Sequence, residues 1–211
     1  MDPTPHTSKT RLLDAALQVI RTKGYAATTV EDICAAADLT KGSFFHHFKG
    51  KEELALAAVE YWNAVTGGLF AQAPYRQITD PRKRLLAYID FRTELIRGEL
   101  PDFTCLLGTL VQETFDTHPR LREVCGQGIA AHALMVASDI AAAKASCAPE
   151  ANWDPETLAY YTQAVIQGAF VLAKAQGDSR VAVLCIHQLR THLETLLPSQ
   201  PPTQPKRRAR P

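Results

Sequence analysis

Residues 28–54 read TTVEDICAAADLTKGSFFHHFKGKEEL, and this stretch decides the fold. Thr28 stands three residues before Glu31, which is the spacing of a capping box and predicts the start of a helix. The apolar spacing that follows ends near Ala37, and Asp38 then begins a short turn. The stretch therefore opens with one short helix that stops abruptly.

A second short helix follows the turn. Thr40 predicts its N-cap, and the helix is expected to run from Lys41 to His47. Apolar spacing predicts a preceding helix over roughly 9–23 and a following one from Lys51 to about Phe70. Two very short helices joined by a tight turn form a helix-turn-helix, whose second helix enters the major groove of DNA.

The second short helix carries the chemistry that DNA contact requires. Its N-terminus offers free N–H groups to phosphate, Lys41 adds positive charge, and Gly42 lets the backbone approach closely. Ser43, His46 and His47 supply donors and acceptors for base edges or phosphates. The alternative for the histidine pair is a solvated helix surface. Phe44 and Phe48 are predicted to pack inward.

The rest of the chain also has helical periodicity, so the sequence predicts an all-α protein of about nine helices. We expect a helix-turn-helix domain over residues 1–52, a ligand-binding and dimerisation domain over 53–197, and a disordered basic tail over 198–211. The later helices are predicted at Pro81–Leu95, Asp102–Phe115, Pro119–Ser146, Pro155–Gln176 and, with Asp178 as N-cap, up to Leu197.

Composition narrows the class of protein. The chain has 211 residues, 46% of them hydrophobic, and a net charge of +1, so any nucleic-acid contact must come from a local patch. Five cysteines without a C-x-x-C pair indicate reduced thiols rather than disulfides or a zinc site. We expect no signal peptide, no membrane-spanning stretch, no cofactor and no metal, which together indicate a cytoplasmic protein.

Sequence motifs of common enzymes are missing. H-E-x-x-H, G-x-S-x-G, G-x-x-x-x-G-K and G-x-G-x-x-G do not occur, so we expect no catalysis. Two alternatives stay open at this point: a small helical enzyme, and an architectural protein that binds DNA without a ligand.

The helix-turn-helix stretch resembles the DNA-binding signature of the TetR/AcrR family of transcriptional regulators over residues 9–55. The resemblance rests on Thr29, Ile33, Ala37, Leu39-Thr40, Gly42-Ser43, Phe45, His47-Phe48, Lys51-Glu52 and Leu54. It implies a homodimer that binds palindromic operator DNA, most often as a repressor, and that a small-molecule effector releases. The DNA contacts it implies are Thr28, Thr29, Lys41, Gly42, Ser43, Phe45, His46, His47 and Lys51.

Two departures from the family pattern stand out. Phe45 occupies a place usually held by Tyr, so one phosphate hydrogen bond is absent, at a cost of about 1 kcal/mol. Asp38 replaces the usual turn glycine, and Asp tolerates the left-handed backbone that the turn needs.

The resemblance also implies a ligand cavity between the middle helices and a dimer interface on the last two. The cavity candidates are Trp62, Phe91, Phe103, Cys105, Thr109, Gln112, His132, Gln167, Phe170 and Lys174. The interface candidates are Tyr161, Val165, Gly168, Leu172, Leu184, Gln188 and His192, which align along two helix faces. For each residue, ordinary packing within one subunit is the alternative.

Cys105 is the most specific of the cavity candidates. The segment FTCLLG over residues 103–108 resembles the electrophile-responsive, NemR-like subgroup of the family, and Lys174 matches a lysine found there. A cation near a thiol favours the thiolate, which is the reactive form. The alternative is a buried, inert cysteine.

Overall fold

The computed structural model describes residues 7–199, and all regular structure within that range is helical. The predicted basic tail lies, from residue 200 onward, outside the described residues. The ten α-helices are α1 (Ser8–Lys23), α2 (Val30–Ala37), α3 (Lys41–His47), α4 (Lys51–Ala71), α5 (Pro81–Glu94), α6 (Leu100–Phe103), α7 (Leu106–Thr114), α8 (Pro119–Cys147), α9 (Pro155–Gln176) and α10 (Arg180–Leu196), with a short 3₁₀-helix at Pro74–Gln77. The all-α prediction is confirmed, with ten helices instead of about nine.

The additional helix arises where a single helix over Asp102–Phe115 was predicted. Thr104 and Cys105 have extended backbones that separate α6 from α7. Cys105 then becomes the N-cap of α7, and its Sγ accepts a hydrogen bond from the Gly108 N–H at 3.5 Å. Neither Gly nor Pro stands at the break, so the sequence carries no ordinary signal for it.

The predicted capping box is displaced by one residue. Thr29, not Thr28, caps α2: its Oγ1 accepts from the Asp32 N–H at 3.1 Å, and the Asp32 carboxylate accepts from the Thr29 N–H at 2.8 Å. Thr28 is 1% exposed, and its hydroxyl donates to the Gly24 carbonyl at 2.6 Å. Asp38 takes the predicted left-handed conformation, with φ 50° and ψ 53°.

The last helix also starts one residue later than predicted. Ser179 precedes α10 as its N-cap, while the Asp178 carboxylate accepts from the Arg180 N–H at 2.9 Å. Gly177 ends α9 in a left-handed conformation, as its position in the sequence predicts.

Two apolar clusters form the core. The first joins α1, α2, α3 and the first half of α4, where Phe44 is 0% and Phe48 3% exposed, as predicted for both. It also takes in Leu106, Leu110 and Leu121 from α7 and α8. The division at residue 52 stays a prediction, since this cluster extends on both sides of it.

The second cluster is a bundle of α5, α8, α9 and α10. A buried charged group fixes the 3₁₀-helix and α5 on α8: the Asp139 carboxylate accepts from Arg76 at 2.8 Å and from Arg84 at 2.9 Å. The first half of α4 belongs to the first cluster, and Phe70 near its end belongs to the second. α4 therefore connects the two parts of the molecule.

One helix bears on the expectation that the chain has no membrane-spanning stretch. By length and composition alone α8 is long and apolar enough to cross a membrane, with a hydropathy of 1.3 over its most apolar stretch. It packs against α4, α5, α7 and α9, and it carries the ion-paired Asp139. Core helices of bundles have the same composition, and we interpret α8 as one of these.

Candidate nucleic-acid interface and ligand cavity

α3 presents a polar surface outward because its opposite side is anchored in the core. Phe44 is buried, whereas Lys41, Gly42 and His46 are exposed and Phe45 is 56% exposed. The Thr40 hydroxyl caps the helix by accepting from the half-buried Ser43 N–H at 3.2 Å. The predicted contact residues of α3 therefore lie at one accessible surface, with the exception of the more enclosed His47.

Two of these side chains already have partners within the protein. Lys41 forms an ion pair with Glu31 on α2, and this pairing lowers the pKa of the Glu31 carboxyl. His47 Nε2 lies 2.7 Å from the Ser8 hydroxyl on α1, and the His46 ring packs edge-on against His47 at 4.8 Å. An exposed ion pair is weak, so a phosphate can compete with Glu31 for Lys41.

Lys51 and Thr28 both form hydrogen bonds within the protein. The Lys51 ammonium donates to the carbonyls of Tyr25 and Thr28, each at 2.9 Å, and lies 4.4 Å from the centre of the Tyr25 ring. Thr28 is buried, so the structure corrects its assignment as a DNA contact. Thr29 is exposed, but its hydroxyl donates to Asp32 at 2.6 Å. Lys51 as a phosphate contact stays a prediction; here it fastens the α1–α2 turn to α4.

A cavity of about 170 Å³ lies between α4, α5, α6, α8 and α9. It brings together six of the predicted candidates: Trp62, Phe103, Cys105, His132, Gln167 and Phe170. Aromatic rings form much of the wall, and polar side chains from α4, α5 and α9 interrupt it. We call this space the main cavity.

A second cavity of about 220 Å³, which we call the side cavity, lies beside the first and is lined by the remaining polar candidates. Thr109, Gln112 and Lys174 line it, and it shares Cys105, Gln167 and Phe170 with the main cavity. Phe91 lines neither cavity, which corrects that prediction. Its ring packs on Phe70 and Tyr75 at 5.8 and 5.7 Å, and sequence periodicity cannot distinguish such a core ring from a cavity wall.

Among the cavity residues that the sequence reasoning missed, Arg92 is the one with a positive charge. It follows Leu85 and Ile89 at helical spacing, i, i+4 and i+7, so the apolar face of α5 carries it inward. Its guanidinium lies 5.3 Å from the Phe70 ring centre and 5.9 Å from that of Phe170. A charged residue on an otherwise apolar helix face was the signal available.

His132 lies at the same end of the cavity. Burial, with added repulsion from Arg92 and Arg76, lowers the pKa of His132 to about 3, so its ring is neutral at physiological pH. Its Nε2 lies 3.0 Å from the Tyr88 hydroxyl, and the Gln163 amide donates to that hydroxyl at 3.5 Å.

Comparison with known proteins now identifies the family. Residues 12–58 match the model for bacterial regulatory proteins of the tetR family, and residues 81–189 match the tetracyclin repressor-like C-terminal domain. The chain belongs to the TetR family. It is a transcriptional regulator, and α1–α3 are the family's helix-turn-helix DNA-binding unit.

Comparisons with individual proteins support this assignment to the TetR family. The HTH-type transcriptional regulator CymR of Pseudomonas putida is 33% identical over 122 residues, which are 54% of this chain and 53% of CymR. The chain thus spans about half the length of curated relatives that it matches. A regulatory protein TetR from Rhodobacter sphaeroides superimposes with a TM-score of 0.78 at 26% identity, over 88% of this chain and 98% of that one. Reduced NemR from E. coli superimposes with a TM-score of 0.75 at 19% identity, over 90% and 97%, and shares the fold.

In this TetR-family regulator, Cys105 lies at the N-terminus of α7 and is half-buried between the two cavities. The Lys174 ammonium donates to the Thr109 hydroxyl at 3.1 Å. Burial lowers the pKa of Lys174, while the negative charges of Glu113 and of an ionised Cys105 counteract that effect. Cys105 and Lys174 therefore lie near each other in the wall of the side cavity.

The cavity walls also contact the DNA-binding unit directly. Glu113, which lines the side cavity, accepts from the Ala26 N–H at 2.8 Å in the α1–α2 turn. Arg21 of α1 donates to the Asp102 and Thr104 carbonyls, both at 3.3 Å, and its guanidinium lies 5.0 Å from the Trp62 ring. α4, α6 and α7 therefore each join a cavity to the helix-turn-helix.

The predicted dimer residues all lie at the surface of the α9–α10 pair. Tyr161 and Leu172 are each 45% exposed and Leu184 is 67% exposed. Val165, Gly168, Gln188 and His192 are exposed or half-buried, and the Tyr161 and His192 rings meet across the two helices at 5.4 Å. The structure thus places the seven residues where a second copy can reach them, and the interface itself stays a prediction.

Proposed function

We propose that this regulator is a cytoplasmic repressor that binds a palindromic operator as a homodimer and is released when a small molecule occupies the main cavity. The observation that carries the proposal is the course of α4. Its first residue, Lys51, fastens the α1–α2 turn, and its second half supplies Trp62, Thr66 and Phe70 to the cavity wall. Lys51 and Trp62 are separated by eleven residues, about 16 Å along one helix.

The DNA side of the mechanism relies on α3. Its exposed surface of Lys41, Gly42, Phe45 and His46 enters the major groove, and Ser43 contacts phosphate from the first turn. In a dimer joined through α9 and α10, two such helices about 34 Å apart meet successive turns of one DNA face.

The effector side follows from linkage. A ligand that favours a displaced α4 alters the separation of the two α3 helices and weakens DNA binding. By the same coupling, DNA weakens ligand binding by the same factor. Arg21 and Glu113 supply two further connections from the cavities to α1 and its turn.

The position of Cys105 favours a second mode of release by electrophiles. Its sulfur lies at the N-terminus of α7, where it accepts from the Gly108 N–H, and the residue lines both cavities. An activated alkene adds by forming a C–S bond while the thiol proton is transferred to the adjacent carbon. The adduct then occupies the space shared by the two cavities.

Operator binding tests the proposal. The purified protein is titrated against duplexes that together cover the region upstream of its own gene and against scrambled duplexes of equal length. We expect the native sequence to bind at least about 10³ times more tightly, the usual specificity of such regulators. Equal affinity for native and scrambled duplexes would favour the architectural alternative, and turnover of a metabolite would favour the enzyme alternative.

A further inference from the structure

Arg92 projects a positive charge into a space built mostly of apolar and aromatic groups. Its guanidinium lies near the rings of Phe70 and Phe170, and within residues 7–199 no carboxylate forms an ion pair with it. The Arg92 side chain is half-buried, and a guanidinium that is partly removed from water without a carboxylate partner is available to pair with an anion that enters the cavity.

His132 supplies a second donor to the same cavity. The Gln163 amide donates to the Tyr88 hydroxyl, and we take that hydroxyl to donate in turn to His132 Nε2, 3.0 Å away. A neutral imidazole with an accepting Nε2 carries its proton on Nδ1. No described residue accepts from that Nδ1–H. Arg92 and His132 thus present donors without acceptors to one enclosed space.

The surrounding carboxylates do not compensate for this charge. Asp102 is the only carboxylate among the cavity-lining residues that the structure describes, and it accepts from the Glu99 N–H at 2.8 Å as a helix cap. Asp139, behind the wall, is shared by Arg76 and Arg84. Positive charge is in excess at this end of the cavity.

The cavity has room for one ring. An apolar cavity of about 150 Å³ is enough to bind benzene. The main cavity, at about 170 Å³, is of that size. Trp62, Phe70, Phe103 and Phe170 supply the aromatic wall.

We propose that the effector of the main cavity is a single-ring aromatic carboxylate, whose anionic group accepts from the Arg92 guanidinium and the His132 Nδ1–H while its ring packs against Phe70, Phe103 and Phe170. This inference rests on the proposed function in taking the main cavity as the effector site.

Direct binding to the DNA-free protein tests it. Calorimetric titrations use benzoate, phenylacetate, salicylate and cinnamate, each paired with its neutral primary amide. A Trp153→Phe variant leaves Trp62 as the single tryptophan and gives a fluorescence signal from the cavity wall. We expect at least one acid to bind about tenfold or more tightly than its amide, the scale of a charge-assisted hydrogen bond. If no acid binds more tightly than its amide, the proposal is wrong.

Variants of Arg92 locate the anion. In Arg92→Gln the preference for the acid should be lost while the amide binds as before, and Arg92→Lys should restore part of the preference. Arg97→Gln is the matched control, because Arg97 is exposed and lies outside the cavity lining. Circular dichroism melting confirms that each variant is folded. A preference for the acid that survives in folded Arg92→Gln would overturn the assignment.

Operator binding is measured separately with the same preparations. If the protein binds its operator but shows no preference for the acid, the proposed effector class is refuted and the proposed repressor function stands. If the protein binds the acid through Arg92 but binds no specific DNA sequence, the proposed repressor function is refuted and the proposed anion site stands.

Discussion

Replacing Lys51 with Met separates two roles that one lysine can have. In the structure its ammonium donates to two carbonyls at 2.9 Å and one at 3.4 Å, and it lies 4.4 Å from the Tyr25 ring centre. Hydrogen bonds to a charged group contribute about 1.5–3 kcal/mol, and an exposed cation–π contact adds about 0.5–1 kcal/mol. Since the side chain is only half-buried, we take about 2 kcal/mol for the loss of stability.

The expected result is a less stable protein with an unchanged salt dependence of DNA binding. For a chain of this size, about 2 kcal/mol corresponds to a fall in Tm of about 4–8 °C. A lysine that contacts phosphate behaves in the opposite way. Its loss leaves Tm unchanged and reduces the slope of log K against log [salt] by about 0.9 per contact, or about 1.8 per dimer.

Two lysines provide the comparison. Lys41→Ala should reduce the salt slope and leave Tm unchanged, since Lys41 is exposed and its intramolecular partner is a surface carboxylate. Lys49→Met, an exposed neighbour of Lys51, is the matched control for stability. Differential scanning fluorimetry and operator titration at several salt concentrations give both quantities. If Lys51→Met lowers the slope by about 1.8 and leaves Tm unchanged, the positioning role is refuted and the phosphate role stands.

Three further predictions concern the other sites. Leu184→Glu should convert the dimer to monomers, as seen by light scattering, while Leu134→Glu, the same change at a leucine on α8 that is 53% exposed against 67% for Leu184, should not; a dimeric Leu184→Glu contradicts the interface. The pKa of His132 is lowered from 6.5 to about 3. Between these two values the unfolded chain binds a proton at His132 that the native protein does not, so the free energy of unfolding decreases as the pH is lowered. Between pH 6.5 and 5.5 the wild type should lose about 1 kcal/mol more than His132→Gln in urea unfolding, and equal losses would show that His132 is not the cause. Cys105→Ser should abolish release from the operator by N-ethylmaleimide, whereas Cys185→Ser should not; undiminished release of Cys105→Ser ends the electrophile hypothesis.

The helix-turn-helix could be predicted closely because its signals are local. Thr40 as a cap, Asp38 in a left-handed turn, and Phe44 and Phe48 as anchors each depend on a few neighbouring residues, and each is confirmed. The one-residue error at Thr28 arose because two adjacent threonines each have an acidic residue three positions later. Only tertiary packing, which buries Thr28, decides between them.

The cavity was harder to predict because its shape depends on packing between distant helices. The break at Thr104-Cys105 divides α6 from α7, and the Arg21 guanidinium, more than eighty residues earlier, donates to the Thr104 carbonyl at that break. No local pattern reports such a contact. Arg92 was missed for a similar reason, since its significance lies in the lack of a carboxylate partner among the described residues, which a sequence does not display.

The junction at Gly128 links the two helices through which a cavity ligand is expected to act on the DNA-binding unit. A Cβ at Gly128 would lie 2.7 Å from the Leu107 side chain and 2.8 Å from that of Asn63, so α8 packs directly on both α7 and α4 at this point. These are the two helices that fasten the α1–α2 turn, α4 through Lys51 and α7 through Glu113. At this contact the Leu107 and Asn63 side chains leave no room for movement between the helices, although all three residues also line the main cavity. We therefore expect a ligand that displaces α4 to carry α7 with it, so that both attachments of the turn that precedes α2 and α3 move together.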